Sequence, residues 1–213
     1  MTRIKVCGIM NRSELAQATL AGADGVGFIV EIDESRHRLS AIDAADLIKQ
    51  VPLFTKSVAV IAPADVEKAV QLAEKTGADV LQVHGSLSAE EMAELKGRVY
   101  QKLVAVVAAD SKLEEIENYA ASANAILLDT LCNGKLGGTG AVHDWNRSAA
   151  IVSSLKAPVI LAGGLNPSNV AAAIKKVGPY AVDASSGLET VGKKDPEKIR
   201  SFIREVRAFP LLQ

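Results

Sequence analysis

Short aliphatic runs recur along the chain at 4–6, 26–32, 57–61, 80–83, 103–107, 125–128, 158–161 and 180–182. Successive runs stand roughly 20 to 35 residues apart, the length of one strand plus one helix and its turns. Runs that are apolar on both faces suit strands of a parallel sheet covered by helices. The hydrophobic fraction is 48% but the aromatic fraction only 4%, so Ala, Val, Ile and Leu must build the interior.

The intervening segments carry helix signals. Asn11 and Glu14 form a capping-box-like pair ahead of Leu15 and Ala18. Ser40 and Asp43 mark a second, weaker start. Asn166-Pro167 precedes Val170, Ala173, Ile174 and Val177, and Asp195-Pro196 precedes Ile199, Phe202, Ile203 and Val206. Both sets follow the i, i+3, i+4, i+7 spacing of a helix with one buried face. Ala21-Gly22-Ala23-Asp24, Thr76-Gly77-Ala78-Asp79 and Ala121-Ser122-Ala123-Asn124 look alike, each a helix C-cap turning into the next strand.

Eight strand–helix units in 213 residues predict an α/β fold, a single (β/α)8 TIM barrel in which residues 1–213 form one catalytic domain. An open doubly wound sheet is the alternative. Against it, the first strand runs into Cys7-Gly8-Ile9-Met10-Asn11, which is not a dinucleotide glycine fingerprint.

Composition also bounds function. A net charge of −1 argues against a nucleic-acid partner. The chain has no apolar run long enough for a membrane span, and Met1-Thr2-Arg3-Ile4-Lys5 is not the start of a signal peptide. Its two cysteines, Cys7 and Cys132, show neither metal nor redox spacing, which suits a reducing cytoplasm. His37, His84 and His143 stand at no metal-ligand spacing, so no metal is expected.

In barrels of this kind the chemistry lies at the C-terminal ends of the strands, and phosphates bind after strands seven and eight. The seventh run ends in Ala162-Gly163-Gly164-Leu165-Asn166, with a helix expected from Pro167, and the eighth in Asp183-Ala184-Ser185-Ser186-Gly187. Glycines let backbone approach an anion, and free N–H groups hold it, so these loops predict a phosphate site. Cys7 closes the first strand. A lone cysteine is usually a small buried hydrophobe, but a following helix start would favour a thiolate. Asp129 ends the sixth run, where a carboxylate is costly without a task or a partner. His84 ends the fourth and is placed to contact a substrate or support a residue that does. Ser35-Arg36-His37-Arg38 follows the second, where an arginine would grip a carboxylate in bidentate fashion. Gly137-Gly138-Thr139-Gly140 is a loop able to close over a ligand, or simply a turn.

Taken in order, several stretches resemble the phosphoribosylanthranilate isomerase family. They are Lys5-Val6-Cys7-Gly8-Ile9, Gly22-Ala23-Asp24-Gly25-Val26-Gly27-Phe28, Leu81-Gln82-Val83-His84-Gly85, Leu127-Leu128-Asp129-Thr130, Gly137-Gly138-Thr139-Gly140, Asp144-Trp145, Leu161-Ala162-Gly163-Gly164-Leu165-Asn166-Pro167 and Asp183-Ala184-Ser185-Ser186-Gly187-Leu188-Glu189. The ordered set covers almost the whole chain.

The resemblance implies an Amadori rearrangement of N-(5′-phosphoribosyl)anthranilate, the third step from chorismate to tryptophan, without metal or organic cofactor. It implies Cys7 as general base and Asp129 as general acid. It also implies phosphate contacts at Gly163, Gly164, Ser185 and Ser186 and a carboxylate contact at Arg36 or Arg38, while His84 and Asp183, at their strand ends, are further candidates for substrate contact. Val6, Met10 and Ala184 depart from the family's usual Ile, Thr and Val. The family's Ser-x-Arg after strand two reads Ser35-Arg36-His37 here, so either flanking arginine is a candidate for the anthranilate carboxylate. A monomer or homodimer acting on this small molecule is expected. The rival readings are a non-catalytic barrel binding a phosphorylated metabolite, or another sugar-phosphate isomerase or epimerase.

Overall fold

The computed structural model describes residues 1–85, 87–132, 135–136 and 143–209. The glycine-rich segment 137–140 lies outside the described residues. Eight parallel strands form a closed barrel: β1 (Arg3–Cys7), β2 (Gly25–Val30), β3 (Lys56–Ile61), β4 (Val80–His84), β5 (Lys102–Ala108), β6 (Ala125–Asp129), β7 (Val159–Leu161) and β8 (Ala181–Ala184). Closure is made by β1, which pairs β2 through Cys7↔Gly27 and β8 through Lys5↔Asp183. A first strand paired with both the second and the last leaves the barrel no open edge to protect.

Helices α1 (Arg12–Ala21), α2 (Ala41–Ile48), α3 (Val66–Thr76), α4 (Ala89–Arg98), α5 (Leu113–Ser122), α6 (Trp145–Ser154), α7 (Val170–Val177) and α8 (Pro196–Arg207) follow the strands in turn. Side chains alternate along a strand, so each strand serves two cores. On β1, Ile4 and Val6 join the large cluster between sheet and helices, which also holds Phe28 and Phe202. Cys7 points the other way and packs inside the barrel with Val58 and Val60. Across the barrel Val104, Val106, Leu127 and Ile160 fill the remaining interior.

The expected caps form, with two adjustments. Asn11 Oδ1 accepts the Glu14 N–H at 3.0 Å, while Glu14 Oε2 reaches back to the Met10 N–H at 2.8 Å, one residue before the cap. Ser40 and Asp195 cap α2 and α8, and Ile199, Phe202, Ile203 and Val206 are all buried as their spacing requires. The second adjustment concerns Pro167: α7 begins at Val170, not there. Asn166 Oδ1 takes the Ser168 N–H at 2.9 Å and its Oγ at 2.6 Å, closing a polar turn before the helix. Likewise β2 stops at Val30 because Glu31 turns to a positive φ of 52°.

The repeated Asp or Asn ahead of β2, β4 and β6 has a common role. Asp24 Oδ2 accepts the Ile4 N–H at 2.8 Å, Asp79 Oδ2 the Ser57 N–H at 2.9 Å, and Asn124 Oδ1 the Leu103 N–H at 2.9 Å. Each ties the start of one strand to the turn entering the next. These straps lie at the N-terminal face and leave the opposite face for chemistry.

Candidate active site

The inner face of the barrel becomes polar at its C-terminal end. Lys5 and Cys7, two residues apart on β1, point to the same side. The Lys5 ammonium is buried and bonds Asp183 Oδ2 at 2.7 Å. Gly27 opposite leaves room for both: a Cβ there would stand 2.7 Å from Cys7 Sγ and 3.0 Å from Lys5 Cε. Burial pushes the Cys7 thiol up, Lys5 pulls it down, Asp183 adds to the rise, and the net direction is upward. Burial alone would lower Lys5, yet Asp183 and Cys7 leave it raised. The helix start expected to favour a thiolate is farther off, since α1 is capped only at Asn11. The nearby positive charge is Lys5.

Asp129 closes β6 and is buried, with Oδ1 accepting the Thr130 N–H at 2.7 Å. Burial raises its carboxyl to about 6, with Asp183 adding to the shift and the Thr130 N–H and Lys5 opposing it. A carboxyl in that range still holds a proton it can donate near neutral pH. Thr130 Oγ1 in turn lies 3.0 Å from His143 Nδ1, and His143 Nε2 lies 2.8 Å from Ser148 Oγ. His84, at the end of β4, has Nε2 3.3 Å from the buried Gln82 Nε2. Burial first, then Lys5, lowers its pKa to about 4, so His84 is a neutral polar group.

Beyond β7 and β8 lie the two glycine loops. Gly163 and Gly164 take φ of 80° and 63°. Gly163 is doubly constrained, since a Cβ would stand 2.2 Å from Thr130 Oγ1. Beyond Ser185 a single 3-10 turn, Ser186–Leu188, carries Gly187, where a Cβ would meet Leu165 O at 2.0 Å. The two loops therefore touch through glycine. Among the described residues the N–H groups of Gly163, Gly164, Ser186 and Gly187 donate to no protein acceptor. Such a set of donors suits an anion with several oxygens.

A polar hairpin, Glu189–Thr190 with Lys193–Lys194, follows directly. Buried Lys194 Nζ donates to Glu189 Oε1 at 2.7 Å, Ser185 O at 3.2 Å and Ser185 Oγ at 3.3 Å. Glu189 also binds the Arg36 guanidinium across from the loop after β2. His37 Nε2 stands 3.1 Å from Glu189 Oε1 but outside hydrogen-bond geometry. Burial lowers His37, and the Lys194 and Arg36 charges outweigh what Glu189 restores. Arg38 turns away and pairs Nε with exposed Asp33 Oδ1 at 2.8 Å.

The structure thus gathers Cys7, Asp129, Asp183 and His84 at the strand ends, the two loops beside them, and Arg36 at the rim. It separates Arg38 from that group. Lys5, Glu189 and Lys194 belong to the site without having been assigned to it from sequence. Lys5 carried one signal: it shares the face of Cys7 in a run otherwise bound for burial. Among the described residues no group of three or more His, Cys, Asp or Glu side chains is placed to hold a metal, and no helix is long and apolar enough to cross a membrane.

A closed (β/α)8 barrel with a buried thiol and carboxyl at its strand ends, beside two glycine loops, suits the class of barrel enzymes that move protons on anionic metabolites. The comparisons narrow this. The family profile described as N-(5'phosphoribosyl)anthranilate (PRA) isomerase matches residues 4–205. An N-(5'-phosphoribosyl)anthranilate isomerase of Methanothrix thermoacetophila is 53% identical, over 98% of this chain and 99% of its own. One from Methanosarcina mazei is 41% identical over 97% and 95%. The solved structure of the Pyrococcus furiosus enzyme superposes with a TM-score of 0.84 at 30% identity, covering 98% of this chain and 100% of that one. A phosphoribosyl anthranilate isomerase in complex with reduced 1-(o-carboxyphenylamino)-1-deoxyribulose 5-phosphate gives 0.81 at 30% identity, with 98% and 100% covered. The chain belongs to the N-(5'-phosphoribosyl)anthranilate isomerase family.

Proposed function

We propose that Cys7 and Asp129 together carry out the isomerisation for which this family is named. The chain is an isomerase of phosphoribosylanthranilate in tryptophan biosynthesis. The observation carrying the residue assignment is that a thiol and a carboxyl raised to about 6 stand buried at strand ends on one face of the barrel.

Asp129 gives its proton to the ribose ring oxygen, the C1′–O bond breaks, and the anthranilate nitrogen shares its electron pair to form a Schiff base. Cys7 then takes the C2′ proton, leaving that bond's electrons between C1′ and C2′ as an enolamine. Tautomerisation places the carbonyl at C2′, with no net oxidation and no outside electron acceptor. The working arrangement, thiolate beside carboxylic acid, has the same proton count as thiol beside carboxylate. Burial raises both groups, so each holds its proton more tightly than it would in water.

The loops at Gly163, Gly164, Ser185 and Ser186 take the 5′-phosphate. Arg36, held at the rim by Glu189, takes the anthranilate carboxylate, while Asp183 and His84 contact the sugar. The chain acts in the cytoplasm, as a single-domain monomer or a homodimer. Loss of the anthranilate adduct's fluorescence on adding purified protein tests the activity itself. A folded protein that leaves the signal unchanged would favour the binding-barrel reading.

A further inference from the structure

Lys5 is a buried charge to which the acid–base chemistry above gives no part. Charged groups are rarely buried this deeply unless paired. Its ion pair with Asp183, at 2.7 Å, spans the β1–β8 seam where the barrel closes. Asp183 Oδ1 is buried and finds no hydrogen-bond partner, so the carboxylate leans wholly on Lys5 among the described residues. Two of the barrel's acid–base groups border this pair. Cys7 Sγ and Lys5 Cε both lie against the single open position left by Gly27. Asp129 on β6 feels the charges of Asp183 and Lys5, and His84 on β4 feels that of Lys5. Lys194 is the remaining cation felt by Cys7.

A salt bridge kept only for stability would be poorly placed here. Replacing a buried ion pair by apolar groups is often neutral or stabilising. Apart from Lys5 and the weaker influence of Lys194, the surroundings of Cys7 are a carboxylate that repels a thiolate and apolar Val58 and Val60. Deprotonating Cys7 there needs an adjacent cation. We propose that Lys5 is a positioning residue that holds the charge of the Cys7 thiolate, with Asp183 as its counterweight setting how much of that charge is available.

This proposal rests on the assignment of Cys7 as base, but its test does not require turnover. Iodoacetamide alkylates only the thiolate, so its rate against pH reads the Cys7 titration directly in a Cys132→Ala background. Lys5→Met should move the midpoint up by at least about one pH unit, slowing alkylation roughly tenfold at fixed pH below it. Lys5→Arg should restore most of the shift, since it returns the charge. Asp183→Asn should move the midpoint down. Under the same conditions Lys5→Met should lower kcat at least as much as it slows alkylation. Unmoved midpoints in folded Lys5→Met and Asp183→Asn would overturn the proposal. If Lys5→Met does not fold, Asp183→Asn decides alone, and a midpoint that fails to fall is the overturning result. Wild-type protein without isomerase activity, but with these shifts intact, would count against the isomerase reading and not against Lys5.

Discussion

Asp129, as the proposed acid, meets two opposed requirements, because a buried carboxyl must stay protonated enough to donate yet remain tolerable in the fold. Its pKa of about 6 lies above the ordinary aspartate value, so between those values the folded chain binds more protons than the unfolded one. Stability therefore falls as pH rises through that window, and ionised Asp129 costs up to about 3 kcal/mol at pH 7. Asp129→Asn should remove this cost: urea unfolding should find the variant at least as stable as wild type at pH 7, with the advantage fading below pH 4. A variant less stable at pH 7 than at pH 4, relative to wild type, would contradict the burial account. At the rim, Arg36 is oriented by a buried glutamate whereas Arg38 pairs outward with Asp33. Arg36→Ala should raise KM roughly tenfold, the worth of one charge-assisted contact, while Arg38→Ala leaves it within about twofold. Steady-state kinetics on the two variants separates them.

Among the elements, the strands and helix starts were legible because burial and capping leave local patterns. The aliphatic runs became β1 to β8, and Asn11, Ser40 and Asp195 capped the helices their spacing announced. The hairpin of Glu189–Thr190 with Lys193–Lys194 was not legible, being two polar pairs too short to show any period. Lys5 was hidden for another reason. Its partner Asp183 is 178 residues away, and only barrel closure brings them together. The loop after β7 was placed correctly, but the local Asn166 turn delayed its helix to Val170. The straps at the opposite face serve the fold alone. Asp79 binds the Ser57 N–H and Oγ and the Lys56 ammonium, so Asp79→Ala should cost about 1–3 kcal/mol in thermal or urea unfolding. Its kcat should match wild type, since β3 begins far from the reacting end. A fall in kcat without a fall in stability would show the two faces to be coupled.

For the molecule as a whole, one barrel supplies every proposed group, from Lys5 and Cys7 on β1 to Asp183 and Ser185 beyond it on β8. Activity per chain should then be independent of protein concentration over a thousandfold dilution, whether or not copies associate through the exposed Leu53 and Phe54 of the opposite face. Specific activity that falls on dilution would show that the site borrows from a second copy. The closed sheet also carries the thiol and the carboxyl on its first and sixth strands. The most direct test of that pairing is kcat for Cys7→Ser and Asp129→Asn, followed by the fluorescence of the anthranilate adduct, with folding checked by circular dichroism. Each variant should lose at least about 100-fold, on the order of 3 kcal/mol of transition-state stabilisation, with KM little changed. Near-normal turnover by either folded variant would contradict the account.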